Sequence, residues 1–244
     1  MSQWSGLDGV PATRVDAAVL EPWCSAAEVR ARVSAAAAAG CAGVRLHSGM
    51  LPQVGEWPAG LRRGVVCGFP TGRSHVLVKA AEARFAVDQG AHDVAVVLDA
   101  GAVAAGDVNA VLSEVVALRG AVAAPAQLTV VLETGLHAAG KLSDDVFDAL
   151  VGAIAAGGAD AVATATGWSP WGVGGPEQIR RITAAAPGLG VIAVVDGGAG
   201  ATGIAGAGAG AASGGDAAAG DAAVPPAADL VAAGAHAVQL TLGE

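Results

Sequence analysis

Short runs of β-branched and other apolar residues alternate along this chain with longer alanine-rich stretches of mixed polarity. The runs are too short for helices and are bounded by glycine or charged residues, so they read as buried parallel strands. They are RVDAAVLE near Val15, GVRL near Gly43, Gly64 to Phe69, Val94 to Asp99, Leu128 to Glu133, Ala161 to Thr166, Val191 to Asp196, and Ala237 to Leu242. The stretches between them carry helix signals. Those beginning at Ser25, His75 and Ser143 each end in glycine, as a helix C-cap prefers, and the last opens with acidic residues in its first turn. Repeated βα units of this kind predict an α/β fold, a (β/α)8 TIM barrel, whose chemistry belongs to the C-terminal ends of the strands.

One segment breaks the alternation. Ala199 to Pro226 is almost entirely Gly, Ala and Asp with no apolar period, and it stands where the seventh helix belongs. Such a sequence has little to bury and much entropy to lose on ordering, so it is expected to be a flexible insertion replacing that helix. The whole of 1–244 is expected to be one domain, since 244 residues suit a single barrel better than two compact units.

Composition narrows the function classes. Hydrophobic residues make up 53% and aromatics only 3%, which predicts a core of small and branched aliphatics. A formal net charge of −9 argues against a nucleic-acid backbone as partner, which would need clustered Lys and Arg. Cys24, Cys41 and Cys67 are odd in number and lack C-x-x-C spacing, so neither a disulfide framework nor a zinc knuckle is indicated, and a reducing cytoplasm is the expected location. No basic stretch followed by an apolar one opens the chain. The apolar runs are interrupted by Asp99, Asp148 or Asp160, so no membrane association or secretion is expected.

Four motifs carry a family resemblance. GADAVATATGW, Gly158 to Trp168, resembles G-A-D, two apolar residues, then K-T-S-T-G-F. Val65 to Ala83 resembles V-V-G-F-P-x-G followed by a helix bearing K-x-x-E-A, with Lys79 and Glu82 in the last positions. Gly90 to Asp107 is similar to a G-A-x-E-I-D segment ending in G-D, and Leu132 to Asp145 to an E-T-x-x-L segment. In this order and spacing they resemble the deoxyribose-phosphate aldolases over about Val15 to Gly198. The resemblance implies an enzyme that holds its substrate as a lysine Schiff base and cleaves 2-deoxyribose 5-phosphate to glyceraldehyde 3-phosphate and acetaldehyde, with no cofactor.

Carried over residue by residue, the resemblance contradicts that chemistry. The Schiff-base lysine falls on Ala163, the second lysine that lowers its pKa on Val194, and the proton-relay aspartate on Ala95. An iminium needs an amine, and no aliphatic side chain supplies one. The aspartate near the end of the first strand persists as Asp16, whereas the H-T pair after it is Ala17-Ala18, the lysine before proline is Glu21, and a strand-two cysteine is Arg45. Of the glycine turns that surround the phosphate in this family, Gly167 and the pair Gly197-Gly198 match. The third turn has become QLTLGE, leaving Thr241 as its hydroxyl.

Other groups are then weighed as replacements. The chain has two lysines. Lys79, three residues before Glu82 on a helix, reads as a solvated charge paired with it. Lys141 follows strand five on the catalytic face and is the alternative nucleophile. His47, Asp99, Glu133 and His137, with His75, fall near the same rim and suggest a metal-assisted alternative. His92 and His236 precede strands and are expected at the stability face. The expectation is a noncatalytic aldolase-like barrel that retains some phosphosugar binding and forms a homo-oligomer or pairs with an active paralogue. The alternatives are a lyase with relocated groups and an eroded barrel with no selected role.

Overall fold

A computed structural model describes residues 7, 9–195 and 226–241, with only the backbone of Thr241. The strands are β1 (Val15–Val19), β2 (Gly43–His47), β3 (Arg62–Cys67), β4 (Asp93–Val97), β5 (Gln127–Val131), β6 (Ala161–Ala163), β7 (Gly190–Val195) and β8 (Ala237–Thr241). Each pairs in parallel with the next, and β8 pairs with β1 through Val15 and Val238, which closes the barrel. The helices are α1 (Ala26–Ala38), α2 (Val76–Asp88), α3 (Ala100–Ala104), α4 (Val108–Ala121), α5 (Gly135–Ala138), α6 (Asp144–Ala156), α7 (Pro176–Ala185) and α8 (Ala227–Ala232). Among these residues no helix is long and apolar enough to cross a membrane.

All eight predicted strands form in the predicted order. Strand β6 stops short of Thr166 for a local reason: the Thr164 side-chain oxygen accepts the Val194 N–H at 3.0 Å, so a side chain takes over where the ladder would continue. The helix start predicted at Ser143 forms, its side chain accepting from the Val146 N–H, and Ser25 closes a capping box with Glu28 that the sequence reading did not name. The seventh unit keeps a short helix, α8, while the glycine-rich segment before Pro226 lies outside the described residues.

The period of two along each strand divides the core. Outward residues such as Val94, Val96, Leu128 and Val130 pack with the helices in the larger cluster. Inward residues Ala18, Leu20, Val66, Ala95, Val97, Val131, Ala163, Ala165, Ile192 and Val194 form a second, smaller one. Below that apolar layer the interior is polar. Asp16 takes both carboxylate contacts from Arg62, at 2.7 and 2.6 Å, and Arg45 reaches Asp93 and Gln239, with the Thr129 hydroxyl donating to Asp93 at 2.7 Å.

Candidate functional site

The three positions that carry the family's chemistry lie on β4, β6 and β7 and come together inside the barrel. Ala95, Ala163 and Val194 are no more than 1% exposed and belong to the same apolar cluster. No amine or carboxylate stands at any of the three positions. The cavity bordering Ala163 on the barrel axis is also lined by Arg45, Phe69 and Gln239, and it measures only about 10 Å³, at the limit of what one water needs. Arg45 stands where the family motif has a small cysteine, and its guanidinium fills the axis while bonded to Gln239 and Asp93. Phe69 closes the upper side, packed edge-on between His47 at 5.5 Å and Trp168 at 5.7 Å.

Asp16, expected near a substrate, is placed differently. It is the second residue of β1, in register with the first residue of β2, so it lies toward the N-terminal end of the barrel, and Arg62 takes both its oxygens. This part-buried ion pair orders the stability face, so Asp16 offers no free carboxylate to the mouth. His92 and His236 lie on that face as expected, accepting the N–H groups of Arg63 and Val191.

The suggested metal rim does not converge. Among the described residues no group of His, Cys, Asp and Glu could hold a metal ion. His47 bonds the Leu20 carbonyl at 2.9 Å, and Asp99 caps α3 through the N–H groups of Gly101 and Ala102 while pairing with Arg73. His137 is sandwiched between Asp144 at 2.9 Å and Gln178 at 3.1 Å and lies against Phe147, so it fastens α5 to α6 and α7. Glu133 bonds Thr166 and stands apart from the other three.

Lys141 is exposed beyond α5, in the solvated setting that leaves an amine without burial. Lys79 overturns the solvated reading. It is 1% exposed, pairs with Glu114 on α4, and donates to the carbonyls of Gly72 at 2.6 Å and Val97 at 3.1 Å. Glu82 instead accepts from the Ser48 hydroxyl and the Gly68 N–H. Gly167 adopts φ +80, the left-handed turn a phosphate-cradling loop uses and an L side chain resists. Gly197 and Gly198 lie outside the described residues, and Thr241 is placed only as the backbone partner of Ala18.

A second, larger cavity of about 250 Å³ lies at the C-terminal face, bordered by the connections after β3, β4, β5 and β6. Glu133, Thr166, Trp168 and Trp171 line it. Glu133 is 7% exposed, and burial pushes its carboxyl above the ordinary glutamate value, partly offset by the hydrogen bonds from Thr166. The motif reading placed Glu133 at the rim but missed the tryptophans. Two of the chain's five tryptophans within four residues of the motif end were the signal.

The arrangement is that of an aldolase-type barrel. An aldolase named QR15 superposes with a TM-score of 0.73 over 94% of this chain and 90% of that one, at 22% identity. A tetrameric deoxyribose phosphate aldolase from Aeropyrum pernix superposes at 0.64, covering 93% and 85% at 23% identity. Sequence comparison is more specific. The chain is 35% identical to the deoxyribose-phosphate aldolase of Mycobacterium avium across 79% of its own length and 91% of that protein, and 38% identical to that of Nocardia farcinica across 69% and 72%. With the Corynebacterium glutamicum deoxyribose-phosphate aldolase, identity is 45% over 53% of this chain and 56% of that protein, so this match spans just over half of its length. No family model matches the chain. The chain belongs to the deoxyribose-phosphate aldolase family.

Proposed function

We propose that this protein is a noncatalytic member of its family, a pseudoenzyme that keeps the barrel and acts through binding. The observation that carries the reading is the aliphatic trio Ala95, Ala163 and Val194, buried together beside an axial cavity of about 10 Å³. Schiff-base formation needs a nucleophilic amine next to the substrate carbonyl, a neighbour that lowers its pKa, and a proton relay. All three positions are apolar. The left-handed turn at Gly167 supports residual binding of a small phosphosugar, with Gly197, Gly198 and Thr241 as the remaining family positions. A cytoplasmic location fits three free cysteines. The tetrameric Aeropyrum pernix relative supports an oligomer, either of this chain alone or with an active paralogue.

The test is cleavage of 2-deoxyribose 5-phosphate, followed by coupled detection of glyceraldehyde 3-phosphate, with an active family member and a Lys141→Ala variant measured in parallel. The expected outcome is no turnover above background from folded protein. Turnover abolished by Lys141→Ala would assign that lysine as a relocated nucleophile. Turnover that survives it would place the chemistry in other groups, and either result overturns the noncatalytic reading.

A further inference from the structure

The cavity at Glu133 adjoins the closed barrel axis, sharing Thr166 with the small axial cavity, and its chemistry is specific. Glu133 follows β5 and is more than nine-tenths buried. One carboxylate oxygen, Oε1, accepts from the Thr166 N–H at 3.1 Å and the Thr166 hydroxyl at 2.5 Å. The other, Oε2, is buried without a hydrogen-bond partner among the described residues. An unpaired buried acceptor of this kind is costly, and it is tolerated where a ligand supplies the missing donor. The cavity beside it has indole rings from Trp168 and Trp171 and hydroxyls from Thr71, Thr166 and Ser169.

We propose that this cavity is a binding site for a small, uncharged, hydroxyl-rich ring molecule such as a free pentose, with a ligand hydroxyl donating to Glu133 Oε2 and the ring's C–H face lying on an indole. Three features select that class. A volume of about 250 Å³ lies just below the usual range for drug-sized ligands and suits a small ring molecule. Among the described residues no lysine or arginine lines the cavity, and a carboxyl stands at its wall, so a phosphate there would meet like charge with no compensation. The Thr71 and Ser169 hydroxyls can both donate and accept, which suits a polyol and is wasted on a quaternary cation, while the Thr166 hydroxyl proton is already given to Glu133. Burial raises the carboxyl's pKa above its ordinary value, in keeping with a site built to exclude water. The inference goes beyond the phosphosugar binding proposed above, since it concerns a ligand without phosphate, and its geometry does not depend on the missing lysines.

Isothermal titration and tryptophan fluorescence with D-ribose, D-ribose 5-phosphate and tetramethylammonium test it. D-ribose is expected to bind saturably with Kd of order 1 mM. The 5-phosphate should bind at least about tenfold more weakly at this site, equivalent to ~1.4 kcal/mol. Trp171→Ala changes a side chain that is 42% exposed, and Glu133→Gln keeps the shape and an acceptor for Thr166, so both variants should fold. Each should lower D-ribose affinity by about tenfold, the second through loss of a charge-assisted hydrogen bond. No saturable signal up to ~100 mM sugar, unchanged affinity in both variants, or tighter binding of the phosphate or the cation would each overturn the proposal. Borohydride trapping with 2-deoxyribose 5-phosphate keeps the two readings apart: a covalent adduct would defeat the noncatalytic reading and leave the pentose site standing.

Discussion

At position 163 a methyl group stands where the family's chemistry needs an amine. Restoring the amine with Ala163→Lys would insert a long side chain into a cluster that already contains Val194, Val131 and Ile192, beside a cavity bordered by Arg45. Overpacking of this kind typically costs about 1–3 kcal/mol, and burial near a cation disfavours a charged amine. With aliphatics at 95 and 194 the new lysine has no relay, so the expected outcome is a lower Tm and no detectable cleavage. Near-family rates from this one change would show that the remaining site is intact. Glu133 gives a second prediction at this scale. Its carboxyl is raised above the ordinary value of 4.5, so its favourable contribution is present at low pH and is lost as pH rises through the folded pKa. Glu133→Gln should therefore be more stable than the native chain at pH 7 to 8, and the difference should shrink toward pH 4 in urea melts. A constant difference across that range would show that Glu133 does not titrate as its burial dictates.

Helix α2 marks the boundary of what the sequence makes legible. Strands, caps and the parallel order can be read because each depends on residues close in sequence, such as the short apolar runs around Val65 or Val94 and Ser25 three residues before Glu28. The polarity of α2 cannot. Its exposed positions include Leu77, Val78 and Phe85, while Lys79 faces inward with Ala83 and Ala86. The partner that makes this tolerable, Glu114, is on α4, and the accepting carbonyls belong to Gly72 and Val97. No local pattern announces a contact formed by folding. The same holds for the candidate site: the motif positions identify which chemistry is missing, but the way Arg45 and Phe69 fill the space depends on residues from five separate strands and the connections after them. Lys79 also holds the loop after β3, where Gly72 at φ +65 lies so close to β4 that a Cβ would fall 1.9 Å from the Leu98 carbonyl oxygen. Lys79→Met should destabilise the fold by about 3–5 kcal/mol in urea unfolding, because Glu114 is left buried and unpaired. The double change Lys79→Met with Glu114→Leu should recover most of that loss, and failure to recover it would mean the amine's bonds to Gly72 and Val97 dominate.

Over the whole molecule, the closed barrel divides what solvent can reach from what it cannot. Cys67 is fully buried on β3 with its thiol pushed well up by burial, and Cys41 is buried with its thiol raised to about 11. Cys24 alone is partly exposed, with a thiol also raised by burial. An aromatic disulfide reagent at pH 8 should thus titrate about one thiol in the folded protein, slowly, and all three after unfolding. Rapid reaction of two or more would show that the barrel opens readily. The Arg45 guanidinium, fixed to Asp93 and Gln239 across the axis, gives this interior a direction in evolutionary time. A lineage that regained a lysine at 163 would first set two cations against each other, and one that lost Arg45 first would strand Asp93. Either order of steps passes through a less stable protein before any chemistry can be selected. The filled axis thus makes the way back to amine chemistry a concerted one, in which position 163, Arg45 and Asp93 have to change together.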